Sequence, residues 1–114
     1  MLSPSLLEAI LAFRQERDWE QFHTPRNLSA AICVEAAELL DHFRWTRDSD
    51  APEITTRQRA ELEHEVADIA ILLSYFCHDL GIDLETAVAR KLELNRAKYP
   101  VDKAWGRSTK YDGL

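Results

Sequence analysis

The chain has 114 residues, 46% of them hydrophobic and 30% charged, which fits one globular domain and excludes a disordered segment. A formal net charge of −6 argues against a nucleic-acid polymer as partner, while a small anion carried in with a metal ion stays compatible with it. Three Gly and four Pro are too few for a sheet-rich fold with many tight turns.

Near the N-terminus no basic segment precedes an apolar run, so no signal peptide is read. No stretch approaches the ~20 apolar residues of a membrane span, and a cytoplasmic location is expected. Ser3-Pro4 supplies a cap and a first-turn proline for a helix carrying Leu6, Ile10, Phe13 and Arg17, running from Pro4 to near Asp18 or Trp19. Thr24-Pro25 repeats that signal for a second helix reaching about Phe43. Residues 46–54 read as a polar loop. Thr55 or Thr56 then caps a long third helix that ends at Gly81. Asp83 caps a fourth, which Pro100 stops. The expectation is an all-α four-helix bundle over residues 1–100, with a polar tail over 101–114 carrying Trp105 and Tyr111 that packs near a site or a subunit interface. Cys33 and Cys77 lack the CxxC spacing of a zinc site and read as buried free thiols in a reducing compartment.

The second helix places acids where apolar residues belong. With about 100° per residue and Glu35 as zero, Leu28, Ile32, Leu39 and Phe43 fall within about 80° on one side. Ala31, Glu38 and His42 fall within about 60° on the other. The third helix repeats the pattern around Glu65, with Leu62, Ile69, Leu72 and Phe76 beside it and Glu61 and Asp68 on the flank, while Glu63, Ala67 and Ser74 lie opposite. A single i, i+3 acid pair is ordinarily solvated surface. Two such pairs, each inside an apolar stripe and with no matching base, need cations, because an isolated buried carboxylate is costly to ionise. An all-oxygen donor set suits Mg²⁺ or Mn²⁺, and Mg²⁺ commonly takes further oxygens from substrate phosphates.

The arrangement EAAE, 26 residues, then EVAD resembles the signature of the MazG-like, all-α nucleotide pyrophosphohydrolases. ERDWEQFHTPRNL (16–28), FRW (43–45), KLELNRAKYP (91–100) and the closing STKYDGL look like the dCTP pyrophosphatase branch of that family. The similarity runs from about Leu6 to the end of the chain. It implies hydrolysis of a deoxynucleoside triphosphate, dCTP or a modified pyrimidine dNTP, to the monophosphate and pyrophosphate. It also implies that Glu35, Glu38, Glu65 and Asp68 hold Mg²⁺, that Trp19 and Trp45 contact the base, and that Lys91 and Asn95 face the triphosphate. His23, in the loop before Thr24-Pro25, is a further candidate for substrate contact or for ordering that turn. The resemblance further implies a homodimer or homotetramer with sites shared between subunits. Two positions depart from the branch: Ile10 stands where relatives closest to the mammalian enzyme carry His, and Leu72 where they carry Tyr. Both leave the preferred base open.

Two rival readings predict different things. A di-iron carboxylate bundle needs two Glu-x-x-His elements, and only ELEH (61–64) is present. A non-enzymatic helical oligomerisation or regulatory module predicts neither metal-dependent stabilisation nor turnover.

Overall fold

Side-chain oxygens set three of the helix starts. In the computed structural model, which describes residues 2–114, Ser3 Oγ accepts from Leu6 N at 3.2 Å, Thr24 Oγ1 from Asn27 N at 3.1 Å and Asp83 Oδ1 from Thr86 N at 3.4 Å. These caps open α1 (Pro4–Glu16), α2 (Pro25–Asp41) and α5 (Leu84–Lys98). Between them lie α3 (Ala51–Arg57) and α4 (Arg59–Leu80), and α6 (Val101–Ala104) follows α5. No strand occurs among the described residues, as the sparse Gly and Pro led one to expect. The chain divides into two units, Leu2–Gly81 and Ile82–Leu114.

Several boundaries differ from expectation, each for a local reason. Helix α1 stops at Glu16 because Asp18 adopts a left-handed φ of 56°, a conformation Asp tolerates. Gln21 Nε2 secures that turn by donating to the Asp18 carbonyl at 3.0 Å and to its carboxylate at 2.8 Å. Helix α2 ends at Asp41 and continues only as turns toward Phe43. Residues 46–54 are partly helical rather than a loop, since a proline in the first turn of a helix is no obstacle and Pro52 sits there in α3. Thr55 and Thr56 are therefore not caps: they lie inside α3 and donate their hydroxyls to the Pro52 carbonyl at 3.0 and 2.9 Å. The expected third helix is broken at Gln58, whose φ of −107° and ψ of 27° end α3 and begin α4. Gly81 closes α4 with φ 66°, as its residue type predicts. The tail is not wholly irregular: it contains α6, and Tyr111 returns to the end of α5, edge-on to Tyr99 at 6.2 Å with Lys98 Nζ 4.7 Å from its ring.

Within Leu2–Gly81, α4 packs along α2 and touches α1 and α3. The α2 stripe faces inward as the wheel requires: Leu28 is buried, Ile32, Leu39 and Phe43 are half-buried, and Ala37, Asp41 and Arg44 are exposed. Cys77 is buried, but Cys33 is exposed, because it projects from the side of α2 away from Glu35. Ser74, expected on an outer face, is buried and satisfied by donating to the Ala70 carbonyl at 2.7 Å. The C-terminal half of α4 is enclosed on more than one side, with Tyr75 donating its hydroxyl to the Ile10 carbonyl of α1.

The least expected core feature is a charge. Arg14 of α1 is only 4% exposed and forms a two-pronged ion pair with Asp79 near the end of α4, its Nη1 lying 2.9 Å from one carboxylate oxygen. Its guanidinium also lies 4.5 Å from the Tyr75 ring centre. The hydrogen bond from Arg14 is the main cause that holds the Asp79 carboxyl below its usual 3.8, against the opposing effect of burial. The pair's stabilisation is thus present above that ordinary value and is lost as pH falls through the depressed folded value. Removing one partner strands the other, so Asp79→Ala should lower unfolding free energy at pH 7 by about 2–4 kcal/mol in urea titrations. The deficit should shrink toward pH 3; a deficit independent of pH would refute the ion-pair assignment.

Candidate active site

The α2–α4 contact brings Glu35, Glu38 and Glu65 together. One carboxylate oxygen from each lies within 4.8 Å of the others. Glu35 and Glu65 are half-buried and Glu38 is exposed, matching the wheel positions of a centre and an edge. Asp68, one turn beyond Glu65, is exposed and falls outside this close trio, but it joins Glu35 in the wall of an adjoining cavity. Glu35 Oε2 is buried and has no hydrogen-bond partner among the described residues. Burial chiefly, and then the neighbouring carboxylates of Glu38, Asp68 and Glu65, push the Glu35 carboxyl from its ordinary 4.5 up to about 7.

This arrangement fits a divalent cation. Three carboxylates converge, one has an orphaned buried oxygen, and no Lys or Arg pairs with any of them among the described residues. All the converging donors are oxygens, the preference of a hard ion. His64 of the ELEH element is exposed and not among the converging residues, so the di-iron pattern gains nothing from the geometry.

A residue without an assigned role stands next to the trio. His42 Nε2 lies 3.7 Å from Glu65 Oε1, and its Nδ1 donates to Gln58 Oε1. That bond to Gln58, followed by Glu65, raises the His42 pKa above its usual value. Its place on the Glu38 flank of the wheel was a usable signal; its partner Gln58 was not, because the break between α3 and α4 sets that contact.

The cavity of about 520 Å³ opens beside Glu35 and Asp68. Its remaining walls come from Ile10 and Phe13 of α1, Ile71, Leu72 and Tyr75 of α4, and Trp19 and His23 of the α1–α2 connection. That connection is held by Trp19 N donating to the Arg14 carbonyl at 2.9 Å and Asn27 Nδ2 donating to the Phe22 carbonyl at 2.9 Å. Trp19 meets Phe13 edge to face at 5.6 Å. Ile10 and Leu72, the two departures from the branch pattern, thus both face this space. Trp45 does not line it: the ring is 83% exposed and lies under the Arg44 guanidinium at 4.6 Å. In the unit Ile82–Leu114, Lys91 is exposed and Asn95 half-buried on α5.

The sequence pattern of the MazG-like family matches residues 30–114, and the chain belongs to that family. It is 42% identical over 104 residues to dCTP pyrophosphatase 1 of Bos taurus, covering 90% of this chain and 62% of that protein. Against dCTP pyrophosphatase 1 of Homo sapiens the identity is 41% over 104 residues, covering 90% and 61%. The chain thus spans about three fifths of the length of these curated relatives. Among solved structures it resembles the crystal structure of a pyrophosphatase from Archaeoglobus fulgidus, with TM-score 0.80 and 44% identity over 84% of this chain and 90% of that one.

The raised Glu35 pKa has a definite sign. A carboxyl whose folded pKa exceeds its unfolded value stabilises the protein below the unfolded value and loses that contribution as pH rises through the folded one. In EDTA, the melting temperature should therefore fall between pH 4.5 and about 7 through this group. Glu35→Gln should flatten that part of the profile, and Mg²⁺ should raise the wild-type value most at pH 8. An identical EDTA profile for wild type and variant would contradict the crowded carboxylate trio.

Proposed function

We propose that the chain is a Mg²⁺-dependent nucleoside triphosphate pyrophosphohydrolase, converting dCTP or a modified pyrimidine dNTP to the monophosphate and pyrophosphate. The observation that carries this reading is the Glu35, Glu38 and Glu65 group with its unpartnered buried oxygen, set against a largely apolar cavity. The names of the relatives, dCTP pyrophosphatase 1 and a pyrophosphatase, support it.

Glu35, Glu38 and Glu65, with Asp68 at the cavity edge, would hold Mg²⁺, with Mn²⁺ as a substitute. Bound there, the ion supplies neutralisation of phosphate charge and acidification of a water. The protein's own contribution is mainly placement, as in phosphoryl transfer generally. A carboxylate of the group, or Glu61 nearby on α4, accepts the water proton. Trp19 offers a stacking face and Ile10, Phe13 and Leu72 exclude water around the base. Trp45, with its exposed ring, suits a base contact in a site shared between subunits, and Lys91 and Asn95 suit the triphosphate.

A homodimer or homotetramer accords with the thinness of the core. Among the described residues the buried apolar side chains are Leu28, Ile54, Tyr75 and Cys77, while Val34, Leu40 and Val66 are exposed. An apolar groove of about 410 Å³ also runs along Leu62, Val66 and Ala70 of α4. The cellular role that follows is cytoplasmic clean-up of surplus or modified pyrimidine nucleotides.

Pyrophosphate release from a panel of dNTPs and NTPs, with Mg²⁺ and with EDTA, tests this directly. Release from dCTP should require the metal. Glu38→Gln should retain its helical circular dichroism and lose turnover by at least about 100-fold, the scale of removing one group that stabilises developing charge. A folded protein that releases pyrophosphate from no nucleotide would overturn the assignment.

A further inference from the structure

His23 reaches the cavity wall from the α1–α2 connection, and its surroundings fix which nitrogen carries the proton. Arg14 Nη1 lies 3.4 Å from His23 Nδ1. A guanidinium has donors only and keeps its charge. Asp79 and Glu20, the acids facing this group, raise the Arg14 pKa further. A proton on His23 Nδ1 would therefore point one N–H at another. Nδ1 must accept, and the imidazole proton belongs on Nε2. Burial first, then the Arg14 charge, lowers the His23 pKa against the opposing effects of Asp79 and Glu20, which favours the neutral ring.

The ring is also held in place. It lies 5.1 Å from the Tyr75 ring at 33°, and Tyr75 is anchored by its hydroxyl to the Ile10 carbonyl. Arg14 is 4% exposed and gripped on two nitrogens by Asp79. With Nδ1 engaged, Nε2–H is the free polar group His23 brings to the cavity. Trp19, on the same wall, is likewise a donor through its indole N–H. Away from the acidic end at Glu35 and Asp68, His23 and Trp19 are the donors of this wall, since the Tyr75 hydroxyl proton is already given to Ile10.

We propose that Arg14 is a positioning residue for nucleotide binding that acts through His23: clamped by Asp79, it holds His23 as the Nε2–H tautomer, a fixed donor for a carbonyl oxygen of the bound base. The proposal rests on the nucleotide reading above. It adds a fixed polarity at the base edge, since every pyrimidine carries a ring carbonyl that can accept from this donor. A donor that cannot turn into an acceptor rewards a carbonyl oxygen at that point and leaves an amino group there unpaired.

The test uses the whole chain with ¹⁵N-labelled histidine, dCMP as the probe, and the Arg14→Met/Asp79→Leu double variant, which removes both charges without stranding either. In the wild type, the His23 resonances, assigned with His23→Gln, should show protonated Nε2 and unprotonated Nδ1. In the double variant both tautomers should appear, and dCMP binding should weaken about 10-fold, the scale of one hydrogen bond. Arg14→Lys, which keeps a cation opposite Nδ1, should restore both the tautomer and most of the dCMP affinity. A wild-type His23 protonated on Nδ1 overturns the proposal whether or not any variant folds. So does a wild type that fails to bind dCMP, or an unchanged dCMP affinity in the folded double variant. These titrations need no turnover. A wild type that binds dCMP but releases no pyrophosphate sinks the enzymatic reading and leaves the role of Arg14 to be decided by the affinities.

Discussion

Three carboxylates held within 4.8 Å of one another repel, and the packing of α4 along α2 keeps two of them, Glu35 and Glu65, half-buried. Glu35 lies on the apolar side of α2, on the same face as the half-buried Ile32, Leu39 and Phe43. The crowding is relieved either by a proton on Glu35, whose pKa stands near 7, or by a cation. Around neutral pH the two compete for the same oxygens. This crowding suits the trio to a cation, as the proposed function requires.

The buried base that might have neutralised the trio is committed elsewhere. Arg14 is taken by Asp79, on the same helix as Glu65 but nearly four turns beyond it. Charge is thereby sorted along α4: the converging acids around Glu65 have no Lys or Arg partner among the described residues, only His42 at 3.7 Å, and a closed ion pair stands at the Asp79 end. The cavity lies between these regions and draws on both: Glu35 and Asp68 at one side, His23 and Tyr75 at the other. Such a division suits a ligand with a phosphate end for a metal and a flat ring for the apolar walls.

Much of this was legible in the chain because it depends on local chemistry. Ser3, Thr24 and Asp83 announced their helices through their own side-chain oxygens, and Gly81 announced the end of α4 through its tolerance of positive φ. Helical periodicity placed Glu35 and Glu65 inward, since an angle on a wheel needs no knowledge of partners. What stayed hidden depended on partners or on breaks without punctuation. Gln58 interrupts a helix with neither Gly nor Pro nearby, and that interruption also places its amide on His42. Asp18 turned left-handed one residue before the cavity's Trp19, a conformation that Asp tolerates but does not demand. Arg14 and Asp79 are 65 positions apart, and each alone reads as surface charge. Cys33 shows the converse error, a residue type that favours burial placed on an outward arc.

The central claim is that α2 and α4 together build a cation site centred on Glu35. Titration of Mn²⁺ into the protein, with free ion followed by electron paramagnetic resonance, tests it without recourse to any substrate. The account predicts saturable binding at pH 7.5 that weakens at least about 10-fold in both Glu35→Gln and Glu65→Gln, folded variants altered on different helices. Binding unchanged by either substitution would place the metal elsewhere and contradict the account.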